Sequence, residues 1–268
     1  MLTTAAVCRP MPAASTLAAT PVLAAPAAMR PGVADFDDTQ PRRIAETLKL
    51  LADVLQPHKR IVHAGDVLYR AGERFECLHV LNSGLAKVTK FTADGREQVV
   101  GIKFRGDWLG LDGIAPGHYG CDAVAMDTGE VWSIRYDRLV DAFARHPALL
   151  TALHGAMSLQ IARDCESLMS VCTLPADARV ADFLRFMAES LATRGLRTDQ
   201  ITLRMTRAEI GNYLGLTLES VSRALSRLAR DAIIVFAGKG RREVCIPDVD
   251  ALSCFVQRRL GPAVATLQ

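Results

Sequence analysis

The stretch "TRAEIGNYLGLTLESVSRALSRL", residues 206–228, contains the signals of two short helices joined by a turn. Thr206 is followed three residues later by Glu209, which is the spacing of a capping box at the start of a helix. Gly215 ends this first helix, and Thr217 is a suitable N-terminal cap for a second one. Two short helices connected through a glycine-containing turn form a helix-turn-helix.

The second of these helices is predicted to have two different faces. Its apolar residues fall at spacings of three, four and three, which places them in one stripe: Leu218, Val221, Leu225 and Leu228. The opposite face combines one carboxylate and one serine with several arginines: Glu219, Ser222, Arg223, Arg227 and Arg230. We expect the stripe to dock the helix on its own domain and the other face to meet an anion.

The C-terminal third of the chain is its basic part. From residue 179 onward there are 14 Lys and Arg against 9 Asp and Glu, whereas residues 1–178 hold 18 against 20. Residues 232–248 read as two strands around the basic turn Gly238-Lys239-Gly240-Arg241-Arg242, which is typical of the wing of a winged helix. This distribution favours a nucleic-acid-binding module, although chance asymmetry of a solvated surface is the alternative.

These features predict that the second helix lies in the major groove of double-stranded DNA. Arginine pairs bidentately with guanine and glutamate accepts from the cytosine amino group, so Glu219 and Arg223 are predicted to read bases. The residues predicted to contact phosphates are Thr206, Arg207, Arg227, Arg230 and Lys239. The alternative for Glu219 and Arg223, four residues apart on one face, is an ordinary surface ion pair.

The sequence pattern of residues 60–136 is typical of a small β-barrel or sandwich. Short β-prone runs alternate with glycine-bearing turns at a spacing of about 8–12 residues. Asp94-Gly95, between two of these runs, is a strong signal for a hairpin. An amphipathic helix over residues 41–55 is predicted before the first strand.

A long helix is predicted over residues 146–174, and others over residues 176–195 and 249–260. The long helix carries a mostly apolar seam in a three-four rhythm: Leu150, Leu153, Met157, Ile161, Asp164 and Leu168. A seam of this length indicates a partner helix, and the same helix of a second copy would make a homodimer. The alternative is that the helix packs only on its own barrel.

The ends and the cysteines of the chain indicate a cytoplasmic protein. Residues 1–34 are rich in Ala and Pro and are predicted to be a disordered tail, with a signal peptide as the alternative. The seven cysteines are odd in number and lack C-x-x-C spacing, which favours reduced thiols over a disulfide framework. The sequence lacks the run of about 18 apolar residues that a membrane span needs.

The sequence resembles the CRP/FNR family of bacterial transcription regulators over roughly residues 43–252, most specifically the FNR branch at residues 205–228. The resemblance implies an α+β fold, with a cyclic-nucleotide-binding-like β-roll, a long dimerisation helix and a C-terminal winged helix-turn-helix. The domains would span residues 1–34 (tail), 35–145 (β-roll), 146–174 (dimerisation helix) and 175–268 (DNA-binding domain).

The resemblance also implies a target and a partner. Glu219, Ser222 and Arg223 match the E-x-x-S-R signature of the FNR branch, which implies an inverted repeat of TTGA-type half-sites. The hairpin at Asp94-Gly95 is implied to contact RNA polymerase, as β-roll loops do in activators of this family. The protein would then be a dimeric activator.

The sensor half departs from the family pattern. Cyclic-nucleotide binders carry an arginine facing the phosphate, whereas this chain has Gly120-Cys121-Asp122-Ala123, so we do not expect a cyclic nucleotide. The tail offers only Cys8, and Trp132 stands where the FNR branch has its β-roll ligand, so we do not expect a four-cysteine iron–sulfur cluster. His118 with Cys121 keeps haem or another metal open as an alternative, and Cys165 with Cys172 keeps a thiol switch open.

Two other classes of function compete with a transcription regulator. An enzyme is disfavoured because the six histidines are scattered and the motifs of common catalytic sites are missing from the sequence. A ligand-binding module that has lost DNA binding is disfavoured by the intact pair Glu219 and Arg223. We therefore predict a regulator and not an enzyme.

Overall fold

The first helix of the computed structural model, α1 (Thr39–Leu55), agrees with the amphipathic helix predicted for residues 41–55. It buries Leu48 and Leu51 against the strands that follow. The structure describes residues 39–92, 94–238 and 240–260. The predicted tail, Cys8 and Lys239 lie outside the described residues, and the domain boundaries stay predictions.

A β-roll of two antiparallel four-stranded sheets follows α1. Its strands are β1 (His58–Val62), β2 (Val67–Tyr69), β3 (Cys77–Ser83), β4 (Ala86–Phe91), β5 (Glu97–Lys103), β6 (Trp108–Leu109), β7 (Asp122–Ala125) and β8 (Gly129–Arg135). The sheets have the orders β1-β8-β3-β6 and β2-β7-β4-β5, and a 3₁₀ turn at Leu111–Gly113 follows β6. Six strands match predicted runs, whereas β2 and β6 are too short to show a pattern.

The predicted hairpin at Asp94-Gly95 joins β4 to β5. Gly95 has a φ of 80°, the left-handed conformation that glycine adopts without the steric cost of a side chain. The pairing continues from Phe91 opposite Glu97 to Ala86 opposite Lys103. This pairing leaves β5 at the edge of its sheet.

Two helices, α2 (Tyr136–Phe143) and α3 (Pro147–Thr173), come after the roll. The long helix was predicted over residues 146–174, and Pro147 begins it because proline lacks the N–H that a first turn leaves unpaired. Sequence reasoning missed α2. Leu149 and Leu153 of α3 are buried in the core shared with α1 and the roll.

The C-terminal part of the chain forms a winged helix. Its elements are α4 (Ala176–Ala192), β9 (Gln200–Thr202), α5 (Arg207–Leu214), α6 (Leu218–Arg230), β10 (Val235–Phe236), β11 (Glu243–Cys245) and α7 (Val249–Leu260). The three strands pair in the order β10-β11-β9. The fold is therefore α+β with a β-roll, a long helix and a winged helix-turn-helix, as predicted.

The winged helix and the β-roll share one hydrophobic core. Val99, Ile102 and Phe104 of the roll are buried in the same cluster as the apolar residues of α4, α5 and α6. Phe104 also meets Phe186 of α4 edge to face, with 5.8 Å between the ring centres. None of the described helices is both long and apolar enough to cross a membrane.

Candidate nucleic-acid interface

The helix-turn-helix is built by the caps that its sequence predicts. The Thr206 hydroxyl accepts a hydrogen bond from the Glu209 N–H at 3.1 Å, and the Glu209 carboxylate accepts one from the Thr206 N–H at 2.8 Å. These two bonds close the capping box at the start of α5. Gly215 ends α5 with a φ of 65°, and the Thr217 hydroxyl caps α6 by accepting from the Ser220 N–H at 3.2 Å.

Gly211 allows α5 and the turn to approach each other. A Cβ atom at this position would lie 2.6 Å from the backbone oxygen of Leu216. The Leu216 N–H also donates a hydrogen bond to the Gly211 carbonyl at 2.8 Å. The angle between the two helices therefore depends on a glycine inside α5, at a place where its helix-forming cost is about 1 kcal/mol.

The inner face of α6 docks it on the domain core. Val221, Leu225 and Leu228 are buried as predicted, and Ala224 joins them. The prediction was wrong for Leu218, whose side chain is 46% exposed because it lies at the first residue of the helix, beyond the edge of the core.

The outer face of α6 presents the predicted base-reading residues. Glu219 and Arg223 are exposed and Ser222 is half-buried. The pKa of Glu219 is lowered by hydrogen bonds from its own N–H and the Thr217 hydroxyl, and by the nearby charge of Arg223. The Arg223 guanidinium donates to the Ser220 hydroxyl at 3.3 Å, a contact that the sequence analysis missed although a spacing of three residues could have indicated it.

The residues predicted to contact phosphates have different surroundings. Thr206 and Arg230 are exposed at ends of α5 and α6. Arg227 instead pairs with Asp177 of α4 at 3.1 Å, and Arg259 reaches the same carboxylate at 3.2 Å. The Arg227 side chain is nevertheless 51% exposed, so its contact with phosphate stays a prediction.

Arg207, which is also predicted to contact phosphate, has partners within the chain. Its guanidinium is half-buried, donates to the backbone oxygen of Arg241 at 2.6 Å, and lies 5.8 Å from the ring centre of Phe236. Burial and the neighbouring charge of Arg241 lower the pKa of Arg207. In this structure Arg207 supports the wing, whereas Arg241 and Arg242 of the predicted basic turn are exposed.

The β-roll holds two carboxylates that accept hydrogen bonds from backbone N–H groups. The Asp112 carboxylate accepts a hydrogen bond from the Gly120 N–H at 2.9 Å, and the Asp122 carboxylate accepts one from the Ala71 N–H at 2.7 Å. The charge of these two carboxylates would repel a phosphate beside them, and the expectation that the roll binds no cyclic nucleotide stays a prediction. Tyr119, between them in sequence, is buried and stacks on Tyr69 with 4.0 Å between the ring centres.

Two side chains of the roll, Cys121 and His79, have pKa values that are shifted by burial. Burial and the nearby Asp112 raise the pKa of Cys121 to about 11, so this thiol is protonated at neutral pH. His79 is buried between Ser133 and Tyr119, and burial lowers its pKa to about 4. Across the described ranges we find no group of three or more His, Cys, Asp or Glu arranged to hold a metal ion.

Comparisons with known proteins agree with this geometry. A Crp-like helix-turn-helix domain matches residues 178–255, and a cyclic nucleotide-binding domain matches residues 59–146. The chain is 32% identical over 201 residues to the fumarate and nitrate reduction regulatory proteins of Salmonella typhimurium and Escherichia coli, covering 75% of this chain and 79% of each relative.

The structure is similar to solved regulators. The structure of FixK2 from Bradyrhizobium japonicum superposes with a TM-score of 0.66 at 26% identity, covering 78% of this chain and 99% of that one. A CRP/FNR family transcriptional regulator from Thermus thermophilus, at 17% identity, has the same fold with a TM-score of 0.60, covering 75% of this chain and 100% of that one. The chain belongs to the CRP/FNR family, whose members are DNA-binding transcription regulators and not enzymes.

Proposed function

We propose that the protein is a homodimeric transcription activator that reads an inverted repeat of TTGA-type half-sites. The observation that carries this proposal is the outer face of α6, where Glu219 and Arg223 are exposed while the inner face is buried. A carboxylate and a guanidinium four residues apart can reach neighbouring base pairs, with Arg on guanine and Glu on cytosine. Ser222 completes the reading set.

The specificity is tested by fluorescence anisotropy with short DNA duplexes. We expect tighter binding to a TTGA inverted repeat than to a matched GTGA repeat or to shuffled DNA at the same salt concentration. The salt must be held constant because phosphate contacts alone change the affinity strongly with ionic strength. Equal affinity for all three duplexes would contradict the proposed reading function.

The dimer in this proposal uses the exposed side of α3. Leu150, Met157, Ile161 and Leu168 recur along one side of the helix and are exposed in the single chain, which is unusual for apolar residues in series. The structure corrects the predicted seam at Leu153, which is only 4% exposed and packs in the core of its own β-roll. Pairing of α3 with its copy would cover this apolar seam.

Asp164 interrupts the seam with a charge. Its carboxylate accepts a hydrogen bond from Gln160 at 2.6 Å, and Gln160 accepts one from the buried ammonium group of Lys103. In a two-fold dimer the two Asp164 carboxylates would approach each other and lose part of their hydration. Asp164 would then weaken the dimer, which makes dimerisation easy to regulate.

The Asp164→Ala variant is therefore expected to dimerise more tightly, by roughly 1–2 kcal/mol, because the change removes two apposed charges. Analytical ultracentrifugation over a range of concentrations measures the dissociation constant. Glu166→Ala is the matched control, since Glu166 is exposed on another side of α3. An unchanged or weaker dimer for Asp164→Ala would contradict this role.

RNA polymerase is the proposed partner in activation. The hairpin between β4 and β5 projects Asp94 and Gly95 from the β-roll, and Phe91 at its base is an exposed aromatic residue. Arg96 pairs with Asp94 at 2.5 Å. An exposed aromatic residue beside a charged turn suits a protein contact.

We also propose regulation without an iron–sulfur cluster of the four-cysteine kind. Trp132 is buried, donates from its ring nitrogen to Glu130 at 2.6 Å, and cannot be an iron ligand. The described cysteines are free and are spread over three parts of the fold, with Cys77 and Cys121 in the roll, Cys165 and Cys172 on α3, and Cys245 and Cys254 in the winged helix. Candidate signals are the amount of protein, a thiol switch, or haem or a small ligand in the roll.

Protein purified without oxygen is expected to contain no iron and to lack absorption near about 400 nm, because four thiolates cannot converge on one site. Its affinity for the inverted repeat should be the same in air and under nitrogen. Metal analysis, an absorption spectrum and anisotropy measure these properties. Stoichiometric iron and sulfide together with air-sensitive DNA binding would contradict the proposal.

A further inference from the structure

The edge of the β-roll sheet is paired with a side chain from the helix-turn-helix. The Asn212 carboxamide of α5 accepts a hydrogen bond from the Val99 N–H at 2.5 Å and donates one to the Glu97 carbonyl at 2.6 Å. Glu97 and Val99 are alternate residues of β5, so their free backbone groups point to the same side. The carboxamide therefore pairs with the edge strand as a neighbouring strand would.

Two further contacts join the same hairpin to α5. The Gln98 side chain donates to the backbone oxygen of Asn212 at 2.5 Å. Lys87 of β4 pairs with Glu209 at 2.7 Å, and Lys87 is largely shielded from solvent. Glu209 is also the capping-box residue of α5, so one carboxylate begins the helix and binds it to the β-roll. We call Lys87, Gln98, Glu209 and Asn212 the hairpin contact.

The hairpin contact is well placed to set the orientation of the reading helix. The β-roll is also linked to the helices at Asp107, which pairs with Arg194 after α4 at 2.8 Å and with Arg163 of α3 at 3.0 Å. The hairpin contact instead acts on α5, which is followed directly by the turn and α6. A small rotation of α5 would therefore move Glu219 and Arg223 as a unit relative to the β-roll.

We propose that Lys87 and Asn212 are positioning residues that set the spacing of half-sites the protein accepts. This inference rests on the proposed homodimer, in which α3 fixes the two β-rolls relative to each other. The hairpin contact then fixes each reading helix relative to its own roll, and so determines the distance and angle between the two helices. One base pair of spacer moves a half-site by about 3.4 Å and about 34° around the duplex, which a rigid pair of readers cannot follow.

The test compares the full-length protein with the double variant Lys87→Ala/Asn212→Ala. The probes are a duplex with one half-site and inverted repeats whose spacer is optimal, or longer or shorter by one and two base pairs. We expect the variant to bind the single half-site within about twofold of the original protein, because each reader remains intact. On the repeat with the optimal spacer, the affinity of the variant should fall by about tenfold. Once one reading helix is bound, a loosely oriented second helix has a lower effective concentration at the second half-site.

The deciding measurement is how the affinity for the inverted repeat changes with spacer length. A merely structural role of the two residues would not alter this dependence. A one-base-pair change should cost the variant less than about threefold, compared with about tenfold or more for the original protein. The control is Lys90→Ala/Asn82→Ala, which removes the same residue types from β4 and β3 but leaves the hairpin contact in place; its profile should stay sharp. A variant with an equally sharp profile, or with half-site binding lost in parallel, would overturn the proposal.

A second measurement does not depend on DNA. Amide hydrogen exchange in the double variant should lose protection at the Val99 N–H while α6 keeps its protection, because the winged helix itself stays folded. Unchanged protection of the Val99 N–H would overturn the hairpin contact, and lost protection throughout α6 would overturn the positioning role, because the two residues would then be needed for the winged helix to fold. If the original protein shows no preference for any inverted repeat, the proposed reading function fails, whereas the exchange result still decides the contact.

Discussion

Replacing Arg223 with alanine is expected to reduce discrimination at one G·C pair of each half-site by about 1–3 kcal/mol, the usual value of a bidentate guanine contact. Arg223 is exposed on the outer face of α6 and is held toward Ser220 at 3.3 Å, so its side chain is partly ordered before DNA binds. Two half-sites in a dimer would double the loss on a full inverted repeat. Anisotropy titrations with single-base substitutions in the half-site measure the effect.

Arg230→Ala is the matched control for this experiment. Arg230 is an exposed arginine in the last turn of the same helix, and a phosphate contact there carries no sequence information. We expect this control to weaken binding to all sequences alike and to reduce the salt dependence by about one counterion per contact. Unchanged discrimination in Arg223→Ala, or lost discrimination in Arg230→Ala, would mean that the bases are read elsewhere.

The second large effect is expected from Ile161→Glu in the α3 seam. Ile161 is 62% exposed in the single chain and lies between Met157 and Leu168, near the middle of the seam. In the proposed dimer two glutamates would be brought together in an apolar interface, where unpaired charges lose hydration. We expect dimerisation to weaken by about 3 kcal/mol or more, which is roughly a hundredfold in the dissociation constant.

Leu159→Glu is the control for the seam. Leu159 is equally exposed, at 59%, but lies two residues away and so points to another side of α3. Sedimentation velocity should show a monomer for Ile161→Glu at concentrations where Leu159→Glu is still a dimer. The inverted repeat should also lose its advantage over a single half-site in the monomeric variant. A dimer that tolerates Ile161→Glu would place the interface elsewhere.

Local signals in the sequence were sufficient for the helix-turn-helix. Thr206 with Glu209, Gly215 and Thr217 mark the helix ends because each acts through hydrogen bonds or backbone angles within a few residues. The same holds for the β4–β5 turn at Asp94-Gly95. The exposure of Glu219 and Arg223 on α6 also followed from the sequence, since helical spacing alone separates them from the buried stripe.

Residues with distant partners could not be assigned in this way. Arg227 has the spacing of a phosphate contact, yet it pairs with Asp177, 50 residues earlier in the chain. Arg207 binds the wing at Arg241, 34 residues later. Leu153 fits the spacing of the seam as well as Leu150 does, but its side chain is buried because it packs with α1, α2 and the β-roll in the folded chain.

The sequence by itself determined most of the elements, their order and the outward face of α6, because these depend on caps, periodicity and charge within short stretches. The tertiary structure decided how the reading helix is held. Asn212 pairs with β5 across more than 110 residues, and Lys87 meets Glu209 across 122. Such contacts produce no periodic pattern in the sequence, because they depend on where the folded β-roll places its edge strand β5.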